Sequence, residues 1–200
     1  MLTTYLFDLD DTLINTAVYE KIYPYVMKKI RLQFKLTEEM LDEEAEKLGL
    51  KRNKYDHLDT GELCKGLGML DMYYQELERA IEVDSFVDEK ALFAISNLKM
   101  RGKRVGIVSN SMHRTIQTYL KKYGLVQYID LVFSSDDVGC KKDQDKYWSQ
   151  LLSKFNLKAS ECLMCGDHIE EDINKPRMLG FRTFHVLRPA DLQRIPDLFP

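Results

Sequence analysis

The chain has 200 residues and carries 29 lysines and arginines against 32 aspartates and glutamates, a formal net charge of −3. That length supports one substantial core, or a core carrying a smaller domain, and the balanced charge without a basic block argues against nucleic acid polymers as partners. The apolar runs are far shorter than the roughly 20 residues of a membrane span, and the N-terminus lacks the layout of a secretory signal, so the expectation is a cytoplasmic protein with no membrane partner.

The first predicted element is a strand over 5–9, inside the stretch YLFDLDDTL. Asp8, Asp10 and Asp11 crowd its end, and Asp8 and Asp10 alternate with Phe7 and Leu9, which in an extended chain puts both carboxylates on one face. Clustered carboxylates resist burial unless positive charge lies among them, so a shared cation is expected. An acidic turn that caps the next helix accounts for Asp11 and Thr12, but not for Asp8 and Asp10.

Residues 16–83 are helical in pattern, with helices expected over 18–34, 38–48 and 61–81 and Thr37 as an N-cap. Glu38, Glu39, Glu43, Glu44 and Glu46 read as a solvated helix face. A helical stretch placed between a first strand and a later sheet predicts a small inserted domain at 16–83, with 1–15 and 84–200 forming the core.

Beyond residue 84, strands expected over 104–109, 129–133, 161–165 and 181–187 alternate with helices over 88–100, 112–123, 146–155 and 173–179, and Gly102, Gly124 and Gly180 stand where C-terminal caps belong. This rhythm predicts an α/β fold: a Rossmann-like, doubly wound parallel sheet of about five strands with helices on both faces. Cys162 and Cys165 form a C-x-x-C within a predicted strand, where residues three apart face opposite ways, and no second pair completes a zinc site. They read as buried structural thiols. Ligands of such sheets bind beyond the carboxyl ends of the strands, which gathers Asp8, Asp10 and Thr12, then Ser109 and Asn110, then the segment DDVGCKKD, then Gly166, Asp167, Glu170, Glu171 and Asp172.

Taken in order, these segments resemble the motifs of haloacid dehalogenase-superfamily hydrolases. Asp8, Asp10 and Thr12 match D-x-D-x-T, Ser109 in VGIVSNS matches the Ser or Thr that ends a strand, and Gly166, Asp167 and Asp172 match G-D-x-x-x-x-D. The motif lysine is degraded: the spacing from Gly139 gives Lys142, Asp143 stands where proline is usual, and Lys141 fits a shifted alignment. The resemblance implies a small α-helical cap domain after the first motif and a Mg²⁺ ion held by Asp8, Asp167, the backbone carbonyl of Asp10, and Asp172 directly or through water. It further implies Asp8 as the nucleophile, Asp10 as general acid and base, Ser109 with the N–H of Asn110 as phosphate holders, Lys142 as the balancing charge, and Thr12 orienting the Asp8 loop. Tyr55, Tyr73, Tyr74, Lys51, Arg52 and Lys54 are the cap residues able to contact a leaving group, with packing or solvation as their alternative duties. His113 and His168 are left out, lone histidines being more often solvated or hydrogen-bonded.

The expected activity is Mg²⁺-dependent hydrolysis of a small phosphomonoester, a phosphorylated metabolite such as a nucleoside monophosphate, by a monomer or homodimer. Asp10 argues against halide displacement, which needs no acid. A sugar-phosphate mutase of the same fold and a silent binding protein are the alternatives.

Overall fold

A computed structural model describes residues 1–53 and 56–199. Lys54 and Tyr55, two of the candidate cap contacts, lie outside the described residues. The chain divides into two compact units, Met1–Asn15 with Val87–Pro200, and Thr16–Phe86.

The first unit is built on five strands, β1 (Thr4–Phe7), β2 (Arg104–Ser109), β3 (Leu131–Ser134), β4 (Cys162–Gly166) and β5 (Arg182–His185). All pairs are parallel and the order is β3-β2-β1-β4-β5. β1 and β4 are buried along their whole length, as expected of parallel strands covered on both faces. On one face Leu6, Val108, Leu131, Phe133 and Met164 pack with Tyr147, Trp148 and Leu151. Gly106 sits on that face because a Cβ there would lie 2.6 Å from the Leu131 Cγ. The expected α/β doubly wound sheet is therefore present. The chain runs outward from β1 through β2 to β3 and then returns to place β4 on the other side of β1, so the strand order reverses beside β1 and makes a crevice there.

Several expected boundaries shift. β1 stops at Phe7 rather than residue 9: Asp8 N–H still donates to Cys165 O (2.8 Å), after which the chain leaves the sheet in a turn. That turn is closed by Leu13 N–H and Ile14 N–H on the Leu9 carbonyl (2.8 and 2.9 Å), with Asp11 at a φ of 51°. Asp8 and Asp10 are thus not neighbours along one extended strand. The third strand begins at Leu131, not 129, and the fifth is confined to Arg182–His185.

The expected helix over 173–179 is instead a π-helical turn, Ile169–Asn174, followed by a short helix, Lys175–Met178. Lys175 N–H reaches back five residues to Glu170 O. Pro176 explains the widening, since it has no N–H to offer the Asp172 carbonyl in the ordinary helical pattern.

In the second unit the helices are α1 (Ala17–Phe34), α2 (Glu38–Lys47), α3 (Thr60–Gly66) and α4 (Leu70–Val83). Thr37 caps α2 by accepting Met40 N–H (3.3 Å). The single helix expected over 61–81 is broken into α3 and α4, because Gly68 adopts a φ of +70° between them. Tyr73 and Tyr74 are buried, edge to face, with centroids 5.1 Å apart. Arg52 spends its guanidinium on Asp42 (2.7 Å), Glu38 (3.1 Å) and the Asp56 carbonyl (2.7 Å), clasping the loop after α2. Among the described residues no helix is long and apolar enough to cross a membrane.

Candidate functional site

Burying the Asp8 and Asp172 carboxylates demands a cation, and in the crevice beyond β1 and β4 that cation is Lys142. Its Nζ donates to Asp8 Oδ1 (2.6 Å) and to Asp172 Oδ1 (2.7 Å). Lys142 is 2% exposed and Asp172 0%. Burial alone would push the ammonium down, but Asp8 and Asp172 more than reverse this and hold it above the ordinary lysine value. Burial raises the Asp8 carboxyl well above its ordinary value, with Lys142 pulling the other way and Asp172 and Asp10 adding to the rise. Asp167 is raised by burial, by Asp172 and by Asp11.

Local structure explains how Lys142 arrives there while Lys141 remains exposed. Trp148, on the helix Asp145–Phe155, donates its Nε1–H to the Lys142 carbonyl (2.7 Å). Asn110 Oδ1 accepts the Lys142 N–H (2.9 Å). The backbone is therefore held on both sides of the residue, and its stem runs inward. Tyr147, one position before Trp148, donates its hydroxyl to the carbonyls of Ser109 (2.9 Å) and Phe133 (3.0 Å), joining the ends of β2 and β3 to the same helix.

Asp172 is placed by the π-helical turn. Its N–H donates to His168 O (2.8 Å) and its Oδ2 accepts the His168 N–H (3.1 Å). A Cβ on Gly166 would lie 2.6 Å from the Asp172 Cβ and nearer still to its carboxyl group, so only glycine at the end of β4 admits this carboxylate. Asp167 follows Gly166, with its backbone carbonyl 2.9 Å from His185 Nε2 and its carboxylate 3.4 Å from Thr12 Oγ1.

Oxygens of Asp8, Asp167 and Asp172 lie within 4.8 Å of one another. Three carboxylates around one ammonium leave uncompensated negative charge, and an all-oxygen donor set suits a hard divalent cation such as Mg²⁺ rather than the softer metals of thiolate or imidazole sites. The residues present fit that ion. The Asp10 carboxylate accepts the Ser111 hydroxyl on Oδ2 (2.6 Å).

The structure thus brings together Asp8, Asp167, Asp172 and Lys142, with Thr12 on the Asp167 side. Ser109 is buried at the end of β2, where its Oγ accepts the Ser111 N–H (3.1 Å). The Asn110 side chain is taken up within the site: its Oδ1 accepts the Lys142 N–H and its Nδ2 donates to Glu171 Oε2 (2.6 Å). Sequence reasoning missed Ser111 as a support of the site, and it gathered Glu171 at the sheet edge without naming Asn110 as its partner. The signal for Ser111 was present in the SNS that ends β2, whereas a bond from Asn110 to Glu171 carries no mark in either segment. Cys162 and Cys165 are buried free thiols, and burial pushes Cys162 up to about 11.

Comparison with known proteins bears on the family. The profile of the haloacid dehalogenase-like hydrolases matches residues 2–174. A glyceraldehyde 3-phosphate phosphatase of Methanothermobacter thermautotrophicus is 26% identical over 188 residues, covering 86% of this chain and 80% of that protein. The pyrophosphatase PpaX of Bacillus thuringiensis is 27% identical over 191 residues, covering 92% and 83%. Among solved structures, a HAD phosphatase from Thermococcus onnurineus superposes with a TM-score of 0.77 at 23% identity, covering 98% of this chain and 97% of its own, which is a likeness of fold. Profile, fold and the order of the motif segments along the chain point one way: the protein is an enzyme, and it belongs to the haloacid dehalogenase-like hydrolases.

Proposed function

We propose that the protein is a Mg²⁺-dependent phosphatase of small phosphomonoesters that works through a phosphorylated Asp8. The reading rests on one observation above all, the buried Lys142 bonded to both Asp8 and Asp172 beside Asp167. A phosphate dianion enters such a cluster only where positive charge offsets the carboxylates. Asp8, Asp167 and Asp172, with the backbone of Asp10, would hold the ion, which when bound supplies charge neutralisation for the phosphoryl group.

Asp8 is the nucleophile. Its carboxylate oxygen bonds to phosphorus as the ester P–O bond breaks, and Asp10 gives the leaving oxygen a proton. Asp10 then takes a proton from water, whose oxygen bonds to phosphorus while the bond from Asp8 breaks. Inorganic phosphate leaves and both carboxylates return to their starting states. Ser109 and the N–H groups that follow it hold phosphate oxygens, Lys142 neutralises charge, and Thr12 steadies Asp167. The helical insert at 16–83 serves as the cap that excludes water and selects the substrate. A relative named for glyceraldehyde 3-phosphate supports a small phosphorylated metabolite as that substrate.

The test is acid quenching during turnover of 4-nitrophenyl phosphate, followed by peptide mapping and product analysis. The phosphoryl group is expected on Asp8 and free phosphate in solution. A label on another residue would overturn the nucleophile assignment, and transfer to a second hydroxyl without release of phosphate would make the enzyme a mutase.

A further inference from the structure

We infer that Ser111 is a positioning residue for Asp10, fixing the proton-transferring carboxylate against the end of β2; this rests on the acid and base role proposed for Asp10. The chain path shows what such a bond does. β1 ends at Phe7, so Asp10 lies on the turn beyond the sheet, bridged to Ile14, and the following Asp11 turns the chain away at positive φ. A carboxylate on a turn keeps free rotation about its Cβ–Cγ bond unless a donor fixes its plane.

Ser111 supplies a donor from just beyond the end of the neighbouring strand β2. Its hydroxyl bonds Asp10 Oδ2 at 2.6 Å, a distance typical of an O–H to carboxylate bond. Its own position is fixed in turn, because its N–H donates to Ser109 Oγ at 3.1 Å. One residue therefore links the side chain proposed to hold phosphate oxygens to the one proposed to move the proton. Proton transfer requires heavy atoms within about 2.6–3.2 Å along a defined line, and small misplacements are costly in rate. Fixing Asp10 relative to Ser109 fixes it relative to the bound phosphoryl group.

The inference differs from a merely structural role in what it demands of the leaving group. Loss of an oriented acid slows expulsion of a basic alkoxide or phenoxide and matters little for an activated one. The experiment uses the whole enzyme with Mg²⁺ and a series of substituted phenyl phosphates, from 4-nitrophenyl to 4-methylphenyl, on the wild type, Ser111→Ala, Ser111→Thr and Asp10→Asn.

Ser111→Ala is expected to lose about tenfold more kcat on the 4-methylphenyl than on the 4-nitrophenyl ester, in the same direction as Asp10→Asn and short of its full effect. KM changes little, and Ser111→Thr, which keeps the hydroxyl, returns the wild-type dependence on leaving group. If Ser111→Ala slows every ester by one common factor, or shifts KM alone, while Asp10→Asn still discriminates between them, Ser111 serves phosphate binding or the loop, and the inference is overturned. If Asp10→Asn itself shows no discrimination, the role of Asp10 falls and the positioning role falls with it.

Discussion

Gly166 and Asp172 occupy one another's space: a Cβ on the glycine would lie 2.6 Å from the Cβ of the aspartate and closer to its carboxyl group. The end of β4 and the π-helical turn are therefore in backbone-to-side-chain contact, which brings the Asp172 carboxylate within reach of Lys142 Nζ. Gly166→Ala is expected to displace Asp172, cost about 1–3 kcal/mol through overpacking, and weaken Mg²⁺ binding. Thermal unfolding with and without Mg²⁺ checks this, and an unchanged Mg²⁺-dependent increment in Tm would show that Asp172 has not moved.

Lys141 and Lys142 adjoin in sequence and differ in everything else. Lys142→Ala leaves Asp8 and Asp172 buried without their cation, a change worth about 3–5 kcal/mol when one partner of a buried pair is removed. It is expected to unfold at markedly lower temperature in metal-free buffer and to lose most turnover. Lys141→Ala removes an exposed charge and is expected to stay within about 0.5 kcal/mol of the wild type. Equal losses in the two variants would contradict the placement of the buried ammonium.

Asn110 and Glu171 couple the end of β2 to the π-helical turn through a 2.6 Å bond. Asn110→Asp keeps an acceptor for Lys142 N–H but sets a second carboxylate against Glu171, with an expected loss of about 1–3 kcal/mol and slower turnover. Adding Glu171→Gln restores a donor and is expected to recover much of the loss. A double-mutant cycle on stability and on kcat/KM measures the coupling, and additive effects would deny it.

Asp137 provides a pH test outside the acidic cluster. Burial would raise its carboxyl, but bonds from Lys154, Ser134 and His113 outweigh this and bring it to about 2. A group depressed in the folded state stabilises fully above its unfolded value, about 3.9, and that stabilisation is lost as pH falls towards about 2. Asp137→Asn is expected to cost about 1 kcal/mol at neutral pH after allowance for solvent screening. The two proteins should converge as the pH approaches about 2, and a constant gap in chemical denaturation across that range would contradict the assignment.

How far the site could be read from the sequence depended on the range of the forces that build it. Asp8, Ser109, Gly166 and Asp167 were legible because each ends or follows a buried strand, and a parallel sheet carries such residues to one edge. The choice of Lys142 over Lys141 needed the packing of Trp148, whose Nε1–H holds the Lys142 carbonyl. The π-helical turn was hidden because Pro176 acts on a hydrogen bond four residues earlier, while the apolar pattern of 173–179 still reads as an ordinary helix. Arg52 looked available for a substrate because its partners, Glu38 and Asp42, lie on α2, well before it in sequence, and meet it only in the folded chain.

The account stands most directly on one assay: release of inorganic phosphate from 4-nitrophenyl phosphate by the wild type and Asp8→Asn, each with Mg²⁺ and after chelation with excess EDTA. The wild type should turn over with Mg²⁺, stop in EDTA and recover when Mg²⁺ is restored, while Asp8→Asn should release no phosphate in any condition. Undiminished release in excess EDTA, or by Asp8→Asn with Mg²⁺, would contradict a metal-dependent phosphatase that works through Asp8.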